Sequence, residues 1–322
     1  MREFSVTSNE SGQRLDKYLK KILPNANAGF LYKMLRKKNI TWNGKKAAGS
    51  EILQEGDCVK LFLGDDTFLK FAGDRGELMR EYEMLGKLPM HGLKVVYEDA
   101  DILAADKPYN MLSQKADASD VSANEYLLGW LIRTKALLPE EFLTFRPSVC
   151  NRLDRNTTGL ILMGKTLKGA QMLSRELRER TMQKYYRAIV LGEVKEGARL
   201  KGYLIKDEAR NQVQTFAEER KGAVPIETEY RPVAYSGAFT LLEVHLITGK
   251  THQIRAHLAS IGHPVIGDLK YGDERINQKI HEELRVKHQL LHAYRVEFAD
   301  GRVICAEPPE IFARVMDKEA LI

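Results

Sequence analysis

The chain reads Asn151-Arg152-Leu153-Asp154-Arg155-Asn156-Thr157-Thr158-Gly159 just before an apolar run at 160–163. If the residues before this turn are extended, Arg152 and Asp154 lie on one face, because side chains alternate with a period of two. A neighbouring guanidinium favours the ionised form of a carboxylate and is suited to stacking on a base or binding phosphate. Taken alone, these residues favour a salt-bridged surface aspartate, so the choice between that and a functional group depends on the rest of the chain.

Length and composition limit the class of protein. With 322 residues, the chain is long enough for two domains. No apolar run approaches the roughly 20 residues that span a membrane, and the N-terminus lacks the apolar stretch of a signal peptide. Cys58, Cys150 and Cys305 are far apart and odd in number, which argues against a disulfide framework. We therefore expect a cytoplasmic protein.

Positive charge is concentrated near the N-terminus. Between residues 14 and 46 the only acid is Asp16, against ten basic residues, namely Arg14, Lys17, Lys20, Lys21, Lys33, Arg36, Lys37, Lys38, Lys45 and Lys46. Residues 71–322 carry 37 basic and 36 acidic residues and are close to neutral. One small segment therefore holds most of the net charge of +6, as expected of a nucleic-acid-binding module.

The pattern of this basic segment predicts two helices and a hairpin. Apolar residues recur at helical spacing over 14–23 and again over 31–35. Asn43-Gly44 is the strongest short-range signal for a hairpin turn, and 58–63 is typical of a strand. A single basic helix is usually only a solvated surface, but ten cations spread over two helices and a hairpin favour nucleic-acid binding.

This segment resembles the S4 RNA-binding domain, and we assign residues 1–70 to a small α/β domain of that kind. The matching residues are Gly12 to Leu19, Asn43-Gly44-Lys45 and Gly56-Asp57. The resemblance implies contacts with the phosphates and the shape of a structured RNA, with little reading of bases. The residues expected to contact RNA are Arg14, Lys17, Lys20, Lys33, Arg36, Lys37, Lys38 and Lys45.

The remainder of the chain is predicted to be a linker followed by one larger domain. Acidic, glycine-rich stretches predict a linker at 71–92, and the second domain then covers 93–322. Strands are predicted at 95–98, 102–105, 185–191, 239–247 and 290–298, and helices at 123–138 and 167–180. Thr166 is the expected cap of the second of these helices. Because strands outnumber helices and do not alternate regularly with them, we predict an α+β domain rather than a doubly wound sheet.

Two further stretches carry side chains suited to chemistry. Lys184 and Tyr186 lie on one face of a predicted strand, although a buried tyrosine in a strand is often plain core. Further on, a turn leads into a predicted helix capped by Thr251. His252 and Arg255 share a face near the N-terminal end of that helix, which suits a phosphate or a carboxylate.

Several common kinds of site are excluded by spacing. His252 and His257 are five residues apart, whereas a zinc-binding pair on a helix needs a spacing of four, and no Cys-x-x-Cys pair occurs. The chain has no phosphate-binding lysine loop, no dinucleotide-binding glycine motif and no serine nucleophile elbow. What remains is a single aspartate, arginines, a tyrosine and an RNA-binding module, and no metal site is predicted.

Together these stretches resemble the RluA-type pseudouridine synthases, which modify uridines in ribosomal and transfer RNA. The resemblance runs from about Leu93 to Pro309 and includes Lys107-Pro108, Arg152-Leu153-Asp154-Arg155, Lys184-x-Tyr186, Gly249 to His257, Gly262 to Asp268 and Leu291-His292-Ala293. It implies a core of mixed, mainly antiparallel sheet flanked by helices. An N-terminal S4-like domain is the arrangement of the branch that modifies large-subunit rRNA. Family members commonly have histidine where this chain has Asn151, a difference that bears on the choice of RNA.

The resemblance also implies roles for single residues. Asp154 would act as nucleophile or electrostatic stabiliser, and Arg255 would form an ion pair with it. Tyr186 would pack against the uracil and assist removal of the C5 proton, while Arg152 would fill the gap left by the flipped base. The other substrate-binding residues would be Arg155, His252 and Lys184. Because the reaction is an isomerisation with no redox step, no cofactor or metal is implied.

The sequence thus predicts an RNA pseudouridine synthase that flips and isomerises uridines, most consistent with 23S-type large-subunit rRNA as substrate. No DNA or membrane partner is expected, and the chain is predicted to be a monomer. Two alternatives remain, a tRNA uridine isomerase of the same family and a non-catalytic RNA-binding factor in ribosome assembly. A pure binding protein has no need of Asp154, Tyr186 and Arg255 together, which favours an enzyme.

Overall fold

The computed structural model describes residues 1–7, 9–235 and 238–318. Its N-terminal part is a four-stranded antiparallel sheet with two helices, in the chain order β1 (Arg2–Ser5), α1 (Leu15–Ile22), α2 (Ala28–Arg36), β2 (Ile40–Trp42), β3 (Lys45–Lys46) and β4 (Cys58–Leu61). The strands lie in the spatial order β1-β4-β2-β3. The two helices, the hairpin and the strand predicted for the basic segment are therefore present, and β1 is an edge strand that was not predicted.

Local sequence explains how these elements start and turn. The side chain of Asn27 caps α2 by accepting a hydrogen bond from the N–H of Phe30 at 2.8 Å. Asn43 and Gly44 have φ angles of 50° and 72°, as a two-residue hairpin turn with left-handed central residues requires. The helices pack one apolar stripe each onto the sheet and leave their basic faces in solvent.

The segment predicted to be a linker, 71–92, contains the last two residues of α3 (Asp65–Ala72) and all of α4 (Arg75–Gly86). Leu85 is buried in the core of the second domain. Its carbonyl lies against Gly129 of α5 (Ala123–Arg133), where an added Cβ would come within 2.4 Å of the oxygen. Gly73, with φ of 71°, ends α3, and the side chain of Asp74 caps α4. The glycine and acidic residues that suggested a linker therefore separate and cap two helices, and α4 packs as part of the second domain.

The second domain is built on an eleven-stranded sheet. Its other elements are β5 (Lys94–Glu98), β6 (Ile102–Lys107), α6 (Pro139–Phe142), β7 (Ser148–Val149), β8 (Thr158–Gly164), α7 (Leu167–Glu179), β9 (Gln183–Leu191), β10 (Ala198–Asp207), β11 (Gln212–Phe216), β12 (Val224–Tyr235), β13 (Phe239–Leu246), α8 (Gln253–Ser260), α9 (Glu274–Leu284), β14 (Leu291–Glu297), β15 (Val303–Cys305) and α10 (Glu310–Lys318). The strand order is β11-β10-β12-β13-β9-β14-β8-β6-β5, with β15 on β14 and β7 on β8. Among the described strands only β8 and β14 pair in parallel, so the predicted mixed, mainly antiparallel α+β fold is confirmed.

Helices cover both faces of this sheet. Tyr186, Ala188 and Val190 of β9 belong to one apolar core, whereas Ile189 belongs to another on the opposite face. The first core is covered by α5 and α8, and the opposite face is covered by α7, α9 and α10. No helix in the described ranges is both long and apolar enough to cross a bilayer.

One predicted helix is shorter than expected. The helix predicted at 123–138 ends at Arg133, because Lys135 takes a left-handed conformation with φ of 59° that an α-helix does not allow. The chain then turns back and buries Leu137 in the core before α6 begins. The strands near 95, 102, 185, 239 and 290 and the helix capped by Thr166 are found where they were predicted.

We predict that His292 makes the fold less stable in mild acid. Its ring is fully buried in β14 and pairs with the hydroxyl of Thr158 at 2.7 Å and the carbonyl of Ala306 at 3.0 Å. Burial lowers the pKa of His292 to about 4. Between that value and the unfolded value of about 6.5, the unfolded chain binds a proton that the folded chain does not. The stability that neutral His292 contributes is therefore fully present above the unfolded pKa, and it is lost as pH falls toward the folded pKa.

The measurement is the free energy of unfolding in urea at pH 7 and at pH 5. From pH 7 to 5 the wild type is expected to lose about 2 kcal/mol more than His292→Gln, which lacks the titrating group. His91→Asn is the matched control, because His91 is exposed and its φ of 48° suits asparagine. Equal losses in His292→Gln and the control would show that His292 does not titrate as described.

Candidate active site

Asp154 lies in an irregular segment between β7 and β8 rather than in a strand. Leu153 is buried, and its N–H and carbonyl both bond to the hydroxyl of Ser113 at 2.9 Å. The carbonyl of Asp154 accepts a hydrogen bond from the N–H of Thr157 at 3.1 Å, which closes the turn. Exposure alternates along the segment: Arg152 is exposed, Leu153 is buried, and the side chain of Asp154 keeps 23% of its surface exposed. This alternation agrees with Arg152 and Asp154 sharing a face, although the segment is not a strand.

Gly159 lets β8 begin directly after this turn and close beside β14. Its φ is 107°, and an added Cβ would come within 2.3 Å of the carbonyl oxygen of Ala293. Thr158 lies opposite His292 and Gly159 opposite Ala293 in the parallel pair. Only glycine fits both the backbone angle and the close approach, so this residue fixes the Asp154 turn against the centre of the sheet.

Arg255, on α8, joins Asp154 to a second carboxylate that is fully buried. Its Nη1 donates to Oδ2 of Asp154 at 2.7 Å, while Nε and Nη2 donate to the two carboxylate oxygens of Asp268 at 2.7 and 2.8 Å. Arg255 is 4% exposed and Asp268 is 0% exposed. Burial opposes the charge of the guanidinium, but Asp268 and Asp154 outweigh burial and raise the pKa of Arg255, so it stays cationic.

The backbone holds Asp268 in place. The N–H groups of Lys270 and Tyr271 donate to its Oδ1 at 2.9 and 3.2 Å, and the side chain of Asn277 donates to its carbonyl at 2.8 Å. Asp268 therefore orients Arg255, and Arg255 orients Asp154. In the sequence, Asp268 stood out only as part of a family motif. No local pattern shows that its side chain faces Arg255, thirteen residues away in the chain.

His252 lies beside the same carboxylate. Its Nε2 is 3.9 Å from Oδ2 of Asp154, and its Nδ1 is 2.9 Å from the hydroxyl of Tyr271. That hydroxyl also accepts a hydrogen bond from the N–H of Val213 at 2.8 Å. Burial lowers the pKa of His252, so its ring is neutral at pH 7. Tyr271 also flanks Arg255, with the guanidinium 5.2 Å from its ring centre, and is a site residue that sequence reasoning missed.

The start of α8 differs from the prediction. His252 precedes the first helical residue with φ of 53°, so Thr251 is one residue too early to cap the helix. The left-handed turn at His252 aims its ring at Asp154 instead of continuing a helical face. No group of three or more His, Cys, Asp or Glu side chains in the described part of the chain is arranged to hold a metal ion.

Tyr186 forms the floor of the site on β9. It is 6% exposed and lies between Val244 of β13 and Ala293 of β14 in the sheet. Burial, and then the charge of Asp154, raise the pKa of Tyr186. Its phenol therefore stays protonated at neutral pH, next to the aspartate.

The remaining predicted substrate-binding residues lie at the edge of the site. Arg152 and Arg155 are exposed. Lys184 is half-buried on the side of β9 that carries Tyr186, and its Nζ lies at Gly249, in the turn before α8, rather than at Asp154. Burial lowers the pKa of Lys184.

Lys107 is a buried residue that anchors the Asp154 turn and was not among the predicted site residues. It is 0% exposed, and its Nζ donates to the carbonyls of Pro108, Met111 and Arg155 at 3.0, 2.9 and 3.0 Å. Burial lowers the pKa of Lys107 to about 7, against the opposing charge of Asp154. All three ammonium hydrogens are used, so Lys107 ties the end of β6 to the turn. A lysine at the end of a mostly apolar strand, directly before Pro108, is the signal that could have found it.

The eight basic residues predicted to contact RNA are all exposed in the N-terminal domain. Two of them are engaged within the protein. Arg14 forms a bidentate pair with Asp16 at 3.1 and 2.8 Å, and Lys20 donates to the carbonyls of Pro24 and Ala26 at 2.7 and 2.6 Å. The other six have no ion pair with any residue in the described ranges, and they are Lys17, Lys33, Arg36, Lys37, Lys38 and Lys45.

Comparison with known proteins identifies the second domain. The sequence profile of the family described as RNA pseudouridylate synthase matches residues 101–260, which contain Asp154, Tyr186 and Arg255. The chain belongs to this family. It is 29% identical over 321 residues to ribosomal large subunit pseudouridine synthase C of Salmonella typhi, covering 98% of this chain and 93% of that protein. It is 27% identical over 311 residues to synthase D of Nitrosomonas europaea, covering 95% of this chain and 84% of that protein.

Solved structures show the same fold as this pseudouridylate synthase. Human RNA pseudouridylate synthase domain containing 4 aligns with a TM-score of 0.59 at 19% identity, over 76% of this chain and 98% of that one. Human RNA pseudouridylate synthase domain containing 1 aligns with a TM-score of 0.53 at 22% identity, over 69% and 86%. At these identities the likeness supports the fold rather than the details of the site.

We predict that Arg255→Lys strongly destabilises the synthase. A lysine cannot bind Asp268 through two hydrogen bonds and also reach Asp154, so a fully buried carboxylate loses its geometry. Breaking a buried ion pair costs about 3–5 kcal/mol, to be measured by urea unfolding at pH 7. The matched control is Arg146→Lys, whose pair with Glu81 is 43% and 45% exposed and is worth at most about 1 kcal/mol. Equal, small losses in both variants would contradict the described network.

Proposed function

We propose that this protein converts uridine to pseudouridine in large-subunit ribosomal RNA, acting as a cytoplasmic monomer. The observation that carries the proposal is the half-buried carboxylate of Asp154, held by Arg255 next to a buried, protonated Tyr186. The relatives in the comparison are named for the large ribosomal subunit, and they match this chain over nearly its whole length. The basic N-terminal domain supports an RNA substrate.

The reaction sets three demands on the site. The bond between N1 and C1′ must break, the uracil must turn, and C5 must join C1′ before water captures the intermediate. The base must also leave the RNA stack, at a cost of a few kcal/mol. Tyr186, Leu153 and Arg255 are buried around Asp154, and this burial would limit water at the reacting atoms.

Asp154 is the group proposed to act on the sugar or the ring. Its Oδ2 is occupied by Arg255, and no hydrogen bond to Oδ1 is found among the described residues, so that oxygen is free to meet the substrate. Arg255 stays cationic because Asp268 supplies a second negative charge. The arginine therefore positions and stabilises the carboxylate without becoming neutral itself.

Tyr186 is proposed to pack against the uracil ring. A phenol whose pKa is raised by burial does not act as a base at neutral pH, so direct proton removal from C5 by Tyr186 is disfavoured. The carboxylate of Asp154 is then the nearest anionic acceptor for that proton. Neutral His252, 3.9 Å from Asp154, is placed to contact the substrate at the same edge.

Arg152 is proposed to occupy the gap that the flipped base leaves in the RNA. It is exposed, and the alternation of side chains along the segment puts it on the same face as Asp154. Its planar guanidinium can stack on the neighbouring bases. Arg155 and Lys184 are proposed to contact the backbone on either side of the flipped nucleotide.

Asp154→Asn is expected to abolish pseudouridine formation and leave RNA affinity nearly unchanged. The substitution keeps the shape of the side chain, and Arg255 remains paired with Asp268, so the fold is retained. Product is detected as carbodiimide-dependent stops in primer extension on large-subunit rRNA, and affinity by filter binding. Asp300→Asn, in an exposed turn, is the control. Normal product from Asp154→Asn would refute the catalytic assignment, and product on tRNA alone would favour the tRNA alternative.

Neutralising the free cations of the N-terminal domain is expected to weaken RNA binding and its salt dependence. Charge substitution is preferred to deletion because Asn9 of this domain bonds to Glu141 of the other. Each phosphate that the domain no longer neutralises should lower the slope of log affinity against log salt by about 0.7–0.9. The substitutions, all to glutamine, are at Lys17, Lys33, Arg36 and Lys37. The control, also to glutamine, is at Arg178, Lys195, Lys201 and Lys206. Equal slopes in the two variants would show that this domain is not the RNA anchor.

A further inference from the structure

A small cavity lies apart from the residues that surround Asp154. It is a cavity of about 170 Å³ lined by three cationic side chains, Arg285, Lys287 and Arg314, with Leu290 and Ile311 as its apolar wall. No acidic residue lines it within the described part of the chain. The catalytic residues and the basic N-terminal domain do not contribute to this cavity, so the proposed function leaves it unexplained.

The three cations lack counter-charges. All three are exposed, and none forms an ion pair with a residue that the structure describes. Like charges brought together around one cavity repel each other unless an anion lies between them. An anion would therefore bind here without displacing an existing partner.

Two buried polar atoms in the wall also lack partners. The hydroxyl of Tyr109 and the Nδ1 of His288 have no hydrogen bond among the described residues, although both atoms are shielded from solvent. Their rings lie 5.6 Å apart on the same cavity. Buried polar groups are normally satisfied, so two unpaired atoms at one place indicate a missing ligand. Burial raises the pKa of Tyr109, so its hydroxyl is available as a donor.

Hydrogen bonds connect this cavity to the Asp154 turn on both sides. Tyr109 follows Lys107 and Pro108, and Lys107 binds the carbonyl of Arg155. On the other side, the residue after His288 is Gln289, whose side chain donates to the hydroxyl of Thr157 at 3.3 Å. The segments that line the cavity are therefore each linked to the Asp154 turn by one hydrogen bond, from Lys107 on one side and from Gln289 on the other.

Gly267 brings the wall of the cavity against the buried carboxylate network. Its φ is 74°, and an added Cβ would come within 2.4 Å of the carbonyl oxygen of His288. Asp268, the next residue, binds Arg255. The segment that forms the cavity wall is thus packed directly on the residues that orient Asp154.

We propose that this cavity binds a phosphate of the substrate RNA close to the target uridine. A volume of about 170 Å³ is below the roughly 300 Å³ of ordinary small-molecule pockets, which fits a phosphate group better than a base or a cofactor. Three cations and a hydroxyl donor match the charge and the acceptor oxygens of a phosphodiester. The inference rests on the proposed function for the identity of the RNA, and it adds a backbone contact that would hold the strand while the base is flipped.

The test compares a pocket variant with a control of equal charge. The pocket variant combines Arg285→Asn, Lys287→Gln and Arg314→Gln, with asparagine at 285 because that residue has φ of 60°. The control combines Arg178→Gln, Lys195→Gln and Lys206→Gln, all outside the cavity. Melting temperatures of both are measured first, and RNA affinity is measured at several salt concentrations.

The pocket variant is expected to bind an rRNA fragment more weakly, with a salt slope lower by about 0.7–0.9 than that of the control. KM for pseudouridine formation should rise, while the single-turnover rate at saturating RNA should stay within about twofold because Asp154 is untouched. Tyr109→Phe removes one donor without changing charge, so it should weaken affinity and leave the salt slope unchanged. Affinity and slope equal to the control, or full affinity in Tyr109→Phe, would overturn the proposal.

Two further arms separate the possible causes. Inorganic phosphate is titrated against the wild type and the pocket variant, and their melting temperatures are followed. If phosphate raises the melting temperature of the wild type alone, while both proteins bind RNA equally, the pocket holds free phosphate. The proposal is then wrong. Product formation by the wild type is scored separately. If the wild type makes no pseudouridine in rRNA, the proposed function fails, whereas the affinity difference between pocket variant and control still decides whether RNA occupies the cavity.

Discussion

The site depends on one guanidinium that binds two carboxylates at once. Arg255 uses two of its nitrogens on Asp268 and a third on Asp154, so the orientation of the Asp154 carboxylate is set through Arg255 by a fully buried residue. A buried ion pair contributes little net stability, because desolvation offsets its attraction. What it supplies here is orientation, since neither partner can rotate without leaving a charge uncompensated in the interior.

The Asp154 turn is held in place by three different kinds of contact. Gly159 allows β8 to lie against β14, Lys107 binds the carbonyl of Arg155, and Ser113 bonds to both backbone groups of Leu153. Each of these interactions comes from a separate part of the chain. Fixed dipoles and charges of this kind need not reorganise when charge develops on a substrate. Such preorganisation is the main source of electrostatic catalysis in enzymes.

The sequence predicted local structure well and long-range packing less well. The Asn43-Gly44 turn and the cap at Thr166 were predicted because a few neighbouring residues determine them. The segment at 71–92 was expected to be a linker, because composition cannot show that Leu85 is buried under α5. Family motifs indicated that Asp154, Tyr186 and Arg255 belong together, but not that Asp268 and Lys107 hold them. Those two act through hydrogen bonds between distant segments, which leave no periodic signal in the sequence.

The position of β14 also determines when the site can form during synthesis. β14 lies between β9 and β8, so without it the sheet falls into two separate halves. One half carries Tyr186, and the other carries the turn with Asp154. β14 consists of Leu291–Glu297 and follows both Asp154 and Tyr186 by more than a hundred residues, so the two halves cannot join until a ribosome has made it. A nascent chain thus carries Asp154 and Tyr186 well before it has the site, and chemistry on RNA begins only once β14 has joined the two halves of the sheet.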